Sequence, residues 1–181
     1  MTPMKTPRLQ RNPAASTAHT DVPALILRLA IGPMLIAHGY NKVFGSGGLA
    51  GTTRWFEALG LRPAKVHARV AAATEIGSGA LMTVGAVSPL PAAAAIGLMT
   101  TAARTDHKGK GFFVFKGGWE YTAVVGVVAA VMAAMGPGRF SVDALLGRQR
   151  SGLRWALLAA LFGVANSTVL LATSYRPEPS A

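Results

Sequence analysis

Apolar residues run through this chain in long blocks, and its polar residues collect in short stretches between them. The blocks cover about 22–44, 66–88, 90–105, 118–136 and 153–173. A membrane-crossing helix needs roughly 20 apolar residues, so the pattern predicts five transmembrane helices, the third of them short and alanine-rich. Breakers fall between the blocks: Gly45-Ser-Gly-Gly48, Pro89 with Pro91, and Gly136-Pro-Gly138. Pro33 lies inside the first block and predicts a kink or one open backbone bond. Between the first two blocks, Trp55, Phe56 and Leu59 share one helical face, which predicts a short helix lying at the interface.

Residues 1–21 are polar, carry Lys5, Arg8 and Arg11, and read as a disordered basic tail. Arg28 inside the first block, with no small-x-small site before His38, predicts a retained helix rather than a cleaved signal. The polar end from Ser174 reads as a flexible tail over 174–181.

Composition sharpens this picture. The chain is 51% hydrophobic and only 14% charged, against about 25% charged in a soluble domain. Its net charge of +11 comes from Lys and Arg flanking apolar blocks, which fits headgroup contact rather than nucleic acid. There is no cysteine, which removes disulfides, thiol catalysis, Cys-type zinc sites and iron–sulfur clusters. Four histidines (19, 38, 67 and 107) are too few and too scattered to favour a protein-held redox metal.

Orientation is not readable from charge. With five spans, and leaving out Arg28 and Lys42, one face carries seven Lys/Arg and the other nine, which gives the positive-inside rule little leverage.

Four ionisable residues fall within the apolar blocks: Arg28, His38, Glu75 and Glu120. A charge in hydrocarbon is costly, so it is usually paired and functional. At 1.5 Å per residue, His38, Lys42, Glu75 and Glu120, with His107 in a loop, converge on one half of the bundle. Arg28 lies nearer the other face, roughly 8 Å in height from Glu75. An Arg28–Glu75 pair is therefore expected near the bilayer middle. The plainer alternatives are that Arg28 snorkels to its own face, that Glu120 is an N-terminal helix charge, and that His38 and Lys42 serve interhelical bonding and headgroup contact.

Certain ordered blocks resemble the DoxX family. They are Arg28-Leu-Ala-Ile-Gly32 with His38-Gly39-x-x-Lys42-x-Phe44-Gly45; Glu75-Ile-Gly77-Ser-Gly79; His107-Lys-Gly-Lys-Gly-Phe-Phe113 with Gly117-Gly118-Trp119-Glu120-Tyr121; and Gly136-Pro-Gly-Arg139-Phe-Ser141-Val-Asp143. The resemblance implies an all-α fold, a four-helix bundle over 22–143 in a bacterial cytoplasmic membrane, to which 153–173 adds a fifth helix. It also implies a redox theme: a membrane subunit or partner of a quinone- or sulfur-linked complex, rather than a complete enzyme. The expected site is Arg28, His38, Glu75 and Glu120, flanked by Lys42, His107, Trp119 and Tyr121, with quinone as the ligand that the inventory allows. A small proton-coupled transporter and a structural anchor for soluble oxidoreductases are the alternatives. The lipid bilayer and redox proteins are the expected partners, a homo-oligomer is left open, and nucleic acid is not expected.

Overall fold

The computed structural model describes residues 13–177, with side chains from Thr20 onward. Its helices are α1 (Pro13–Phe44), α2 (Gly48–Ala58), α3 (Ala64–Val84), α4 (Leu90–Arg104), α5 (Glu120–Met135), α6 (Val142–Leu145) and α7 (Leu153–Ser174). One 3-10 turn, Val114–Lys116, precedes α5. Among the described residues there is no strand, only an isolated bridge between Leu61 and Tyr175.

The long helices run alternately up and down the bundle in chain order, with α4 and α7 parallel, so the molecule has two ends. One end gathers the start of α1, the α3–α4 turn, the α5–α7 connection and the start of α7. The other gathers the end of α1, α2, the α4–α5 loop and the end of α7. The core between them is small-chained: Ala92, Ala95, Ala129, Ala133, Ala156 and Ala159 surround Leu35, Met82, Met99 and Val125. The larger apolar side chains point outward, among them Ile26, Leu29, Val70, Val127, Leu157, Leu161, Phe162 and Val169. A water-soluble bundle would reverse this arrangement, and an outer surface of Leu, Val and Phe suits lipid.

Two described helices are long and apolar enough to cross a membrane by themselves: Thr20–Phe44 within α1, and α7. Helix α5 is apolar but has 16 residues. The other two long helices, α3 with Lys65, Arg69 and Glu75, and α4 with 15 residues, do not meet the same measure.

Helix α1 continues N-terminally past the expected start at 22, and Asp21, placed by the sequence reading in a disordered tail, is a buried helical residue. Its carboxylate accepts the Arg139 backbone N–H at 2.9 Å, which explains why the helix extends to it. Residues 1–12 of that tail lie outside the described residues. At the other terminus, where a flexible tail is expected, Ser174 O accepts from Arg62 N at 2.8 Å and Arg176 N donates to Gly60 O at 2.7 Å. These bonds dock the chain end through residue 177 against the α2–α3 turn, and 178–181 lie outside the described residues. Helix α2 buries Phe56 in a second core cluster with Leu61, Ala68 and Leu171, and leaves Trp55 exposed.

Glycine sets the closest helix crossings. A Cβ on Gly163 of α7 would lie 2.7 Å from Ala93 O and 2.9 Å from Gly97 N of α4. One turn along, the Ser167 and Thr101 hydroxyls meet at 2.9 Å, with Ser167 fully buried. Small residues four apart on both helices allow this approach. Gly163→Val should therefore lower the unfolding free energy by about 1–3 kcal/mol through overpacking. The check is the unfolding midpoint in mild detergent; an unchanged midpoint would show that α7 does not need this contact.

Candidate functional site

The ionisable residues of the helices fall into two groups at opposite ends, and Arg28 and Glu75 belong to different groups. The guanidinium of Arg28 is enclosed by backbone. Its Nε donates to Met82 O at 3.0 Å, Nη1 to Pro137 O at 2.8 Å and Phe140 O at 2.7 Å, and Nη2 to Thr83 O at 2.8 Å. Met82 and Thr83 are in the last turn of α3, where the dipole favours a cation; Met82 O also accepts from Gly85 N at 3.1 Å. The expected Arg28–Glu75 pair is corrected on this ground: the arginine turns toward its own end and satisfies four carbonyls there. Gly85, at φ +67°, makes room for it, because a Cβ there would sit 2.7 Å from Arg28 Cζ.

Asp143 completes this knot. Its two carboxylate oxygens accept the Val87 and Ser88 backbone N–H groups at 2.9 and 2.8 Å, and so fasten α6 to the α3–α4 turn. A void of about 30 Å³ beside Arg28 is of the order of a single water's space, too small for a ligand. This end is structural.

At the other end ionisable side chains bond to one another. His38 and Lys42 are four apart on α1 and share a face. Between them, Gly39 lets α1 touch α3: a Cβ there would lie 2.8 Å from Ala72 O and 2.9 Å from Glu75 Cβ. That approach brings the Lys42 ammonium within 2.7 Å of both Glu75 oxygens. Glu75 is only 4% exposed, so the pair is buried on the carboxylate side. Thr52 of α2 donates to Lys42 O at 2.8 Å and pins α2 beside the pair. Tyr121, in the first turn of α5, has its hydroxyl 3.2 Å from His38 Nε2 and 3.7 Å from Met34 Sδ. Both His38 and Tyr121 lie within electrostatic reach of Glu75.

His38 and Lys42 border an open cleft of about 310 Å³, lined by His38, Asn41 and Lys42 on one side and by Gly47, Thr52 and Trp55 on the other, with Glu75 and Tyr121 behind them. Asn41 and Thr52 carry no role in the sequence, and Trp55, expected only as an interfacial residue, is part of this wall. Their signal was available in the Gly-rich turn after Lys42, which has to fold α2 back over the end of α1.

Glu120 and His107 do not join this group. Glu120 Oε2 accepts the Val114 N–H at 3.0 Å, and His107 Nδ1 donates to Gly117 O at 2.6 Å, so both tie down the α4–α5 loop. Trp119 stacks edge-on against Phe112 in that loop, with ring centroids 5.0 Å apart, rather than lining the cleft.

The DoxX family model matches residues 24–108, from Ala24 within α1 through α4 into the following loop. These residues form a DoxX domain, that of a membrane-protein family. The matched stretch contains Arg28, His38, Lys42, Glu75 and every residue named here in the cleft wall; Glu120, Tyr121, Asp143 and α7 lie beyond it. No curated protein and no solved structure matches the chain.

Proposed function

We propose that this DoxX-domain protein is a multi-pass subunit or partner of a redox complex in the bacterial cytoplasmic membrane, and that its cleft receives a quinone headgroup. The observation that carries the reading is an open cleft lined by His38 and Lys42, which are backed by Tyr121 and Glu75 respectively. A quinone needs donors to its carbonyls and a proton source when reduced. His38 and Asn41 can donate, and the Lys42–Glu75 pair can exchange a proton behind them. In this reading α3, α4 and α5 cross the membrane beside α1 and α7, because they pack along them, α3 and α5 antiparallel and α4 parallel to α7, in a bundle whose outer face is apolar. The chain acts with partner proteins rather than as a complete enzyme.

The test is gentle purification followed by mass spectrometry of bound small molecules and proteins. A quinone should copurify in near-stoichiometric amount and be lost from His38→Leu. Recovery of neither a quinone nor a redox partner would overturn the reading. The buried ion pair also favours a second reading, a proton-coupled carrier; it predicts proton flux in proteoliposomes that disappears in Glu75→Gln.

A further inference from the structure

The α4–α5 loop, residues 105–119, is long for a connection between packed helices, and such loops usually have a task of their own. It is also well ordered by its bonding. Trp119 N donates to Gly111 O at 3.1 Å, Glu120 N to Phe112 O at 2.9 Å and Gly118 N to Phe113 O at 2.9 Å. Two polar side chains, His107 and Glu120, are spent on bracing it. A mere connector would not need that bracing.

The braced loop holds out a ridge of aromatic rings. Phe112, Phe113, Phe115 and Trp119 are all exposed, and Phe115 is 77% so. The rings contact one another in series, with centroids 5.0 Å apart for Phe112–Trp119, 5.5 Å for Phe112–Phe113 and 5.3 Å for Phe113–Phe115. The same loop carries Lys108, Lys110 and Lys116: Lys116 Nζ lies 5.9 Å from the Phe115 ring centre, Lys110 pairs with Asp106, and Lys108 Nζ lies 5.8 Å from the Tyr175 ring centre. The two acids of the loop region are already engaged, Asp106 with Lys110 at 3.3 Å and Glu120 with Val114. Three lysines (108, 110 and 116) against these two carboxylates leave the loop a net charge of +1.

We propose that this loop is a preformed interfacial anchor that seats its aromatic ridge at the headgroup–acyl boundary of an anionic bilayer. Aromatic rings prefer that depth, and lysines at its rim meet lipid phosphate. The loop leaves the end of an apolar bundle, so the lipid surface is its nearest neighbour. The inference does not depend on what the cleft binds.

The chain has no cysteine, so Phe115→Cys gives a unique site for a nitroxide spin label without touching the core. The full chain would be reconstituted in phosphatidylcholine vesicles with and without phosphatidylglycerol. Label accessibility to oxygen would then be compared with accessibility to a water-soluble nickel chelate. In the phosphatidylglycerol vesicles oxygen should dominate, and the label should move outward when Lys108, Lys110 and Lys116 are all changed to Gln. Dominant nickel access in both compositions would put the ridge in water, as a surface awaiting a protein would be, and would overturn the proposal. A depth unaffected by phosphatidylglycerol or by the lysine changes would overturn its anionic preference.

Discussion

Arg28→Gln should destabilise the protein by about 3–5 kcal/mol, the range for removing one member of a buried, fully hydrogen-bonded charge site. Four carbonyls on two separate segments, Met82 and Thr83 at the end of α3 and Pro137 and Phe140 after α5, take their hydrogen bonds from this one guanidinium. A hydrogen bond from a charged donor contributes roughly 1.5–3 kcal/mol, and four that share one donor group do not add fully. Arg28→Lys should recover only part of the loss, because an ammonium has three donors and lacks the planar fork. The readout is the unfolding midpoint of purified protein in detergent. Adding Glu75→Gln to Arg28→Gln should lower stability further and by an independent amount. A double variant more stable than Arg28→Gln alone would restore a direct pairing of the two residues and refute the carbonyl cage.

The contrast between Arg28 and Glu75 shows what a sequence of this kind makes legible. Helix positions follow from apolar length and from Gly and Pro breakers, both local properties, and the ends of α4 and α7 fall within a residue of the expected blocks. Height in the bundle also follows, because rise per residue is fixed. Side-chain direction does not follow. Arg28 and Glu75 are close enough in height for a long side chain to join them, and only the packing of α3 decides that Arg28 reaches the last turn of α3 instead. Lys42 reads from sequence as a headgroup contact because nothing local reveals that Gly39 draws α1 onto α3 at Glu75. Glu120 and His107 lie in family-like blocks, yet their partners are backbone groups of their own loop. Asp21 and Asp143 are the converse case. Buried acids that bond to backbone N–H groups far along the chain leave no periodic signal, although an acid is rare enough in this chain, with seven in all, to merit suspicion wherever it occurs.

Lys42→Met and Glu75→Gln should have unequal effects, and the inequality separates a structural pair from a working one. Lys42→Met leaves a carboxylate only 4% exposed without its ion-pair partner, and should cost about 3–5 kcal/mol. Glu75→Gln leaves an ammonium at the edge of the cleft, 15% exposed, which can turn toward solvent, so its cost should be smaller. Replacing both, Lys42→Met with Glu75→Leu, should recover most of the stability, since an apolar pair of similar volume requires no desolvation. Unfolding midpoints of the three variants in one detergent check the order; equal losses for the two single changes would mean that the cleft does not open beside Lys42 as described. The double variant then carries the functional argument. It should be folded, with His38 and Tyr121 still 3.2 Å apart, yet without an ionisable group behind them. If the pair only holds α1 against α3, ligand retention and any redox-coupled proton uptake should survive in that variant. If it supplies the proton, the ligand should still bind while proton uptake falls at least tenfold. The second outcome is the one expected from placing the most buried carboxylate of this end against the wall of an open cleft, where a purely structural contact between two apolar helices is served as well by leucine and methionine.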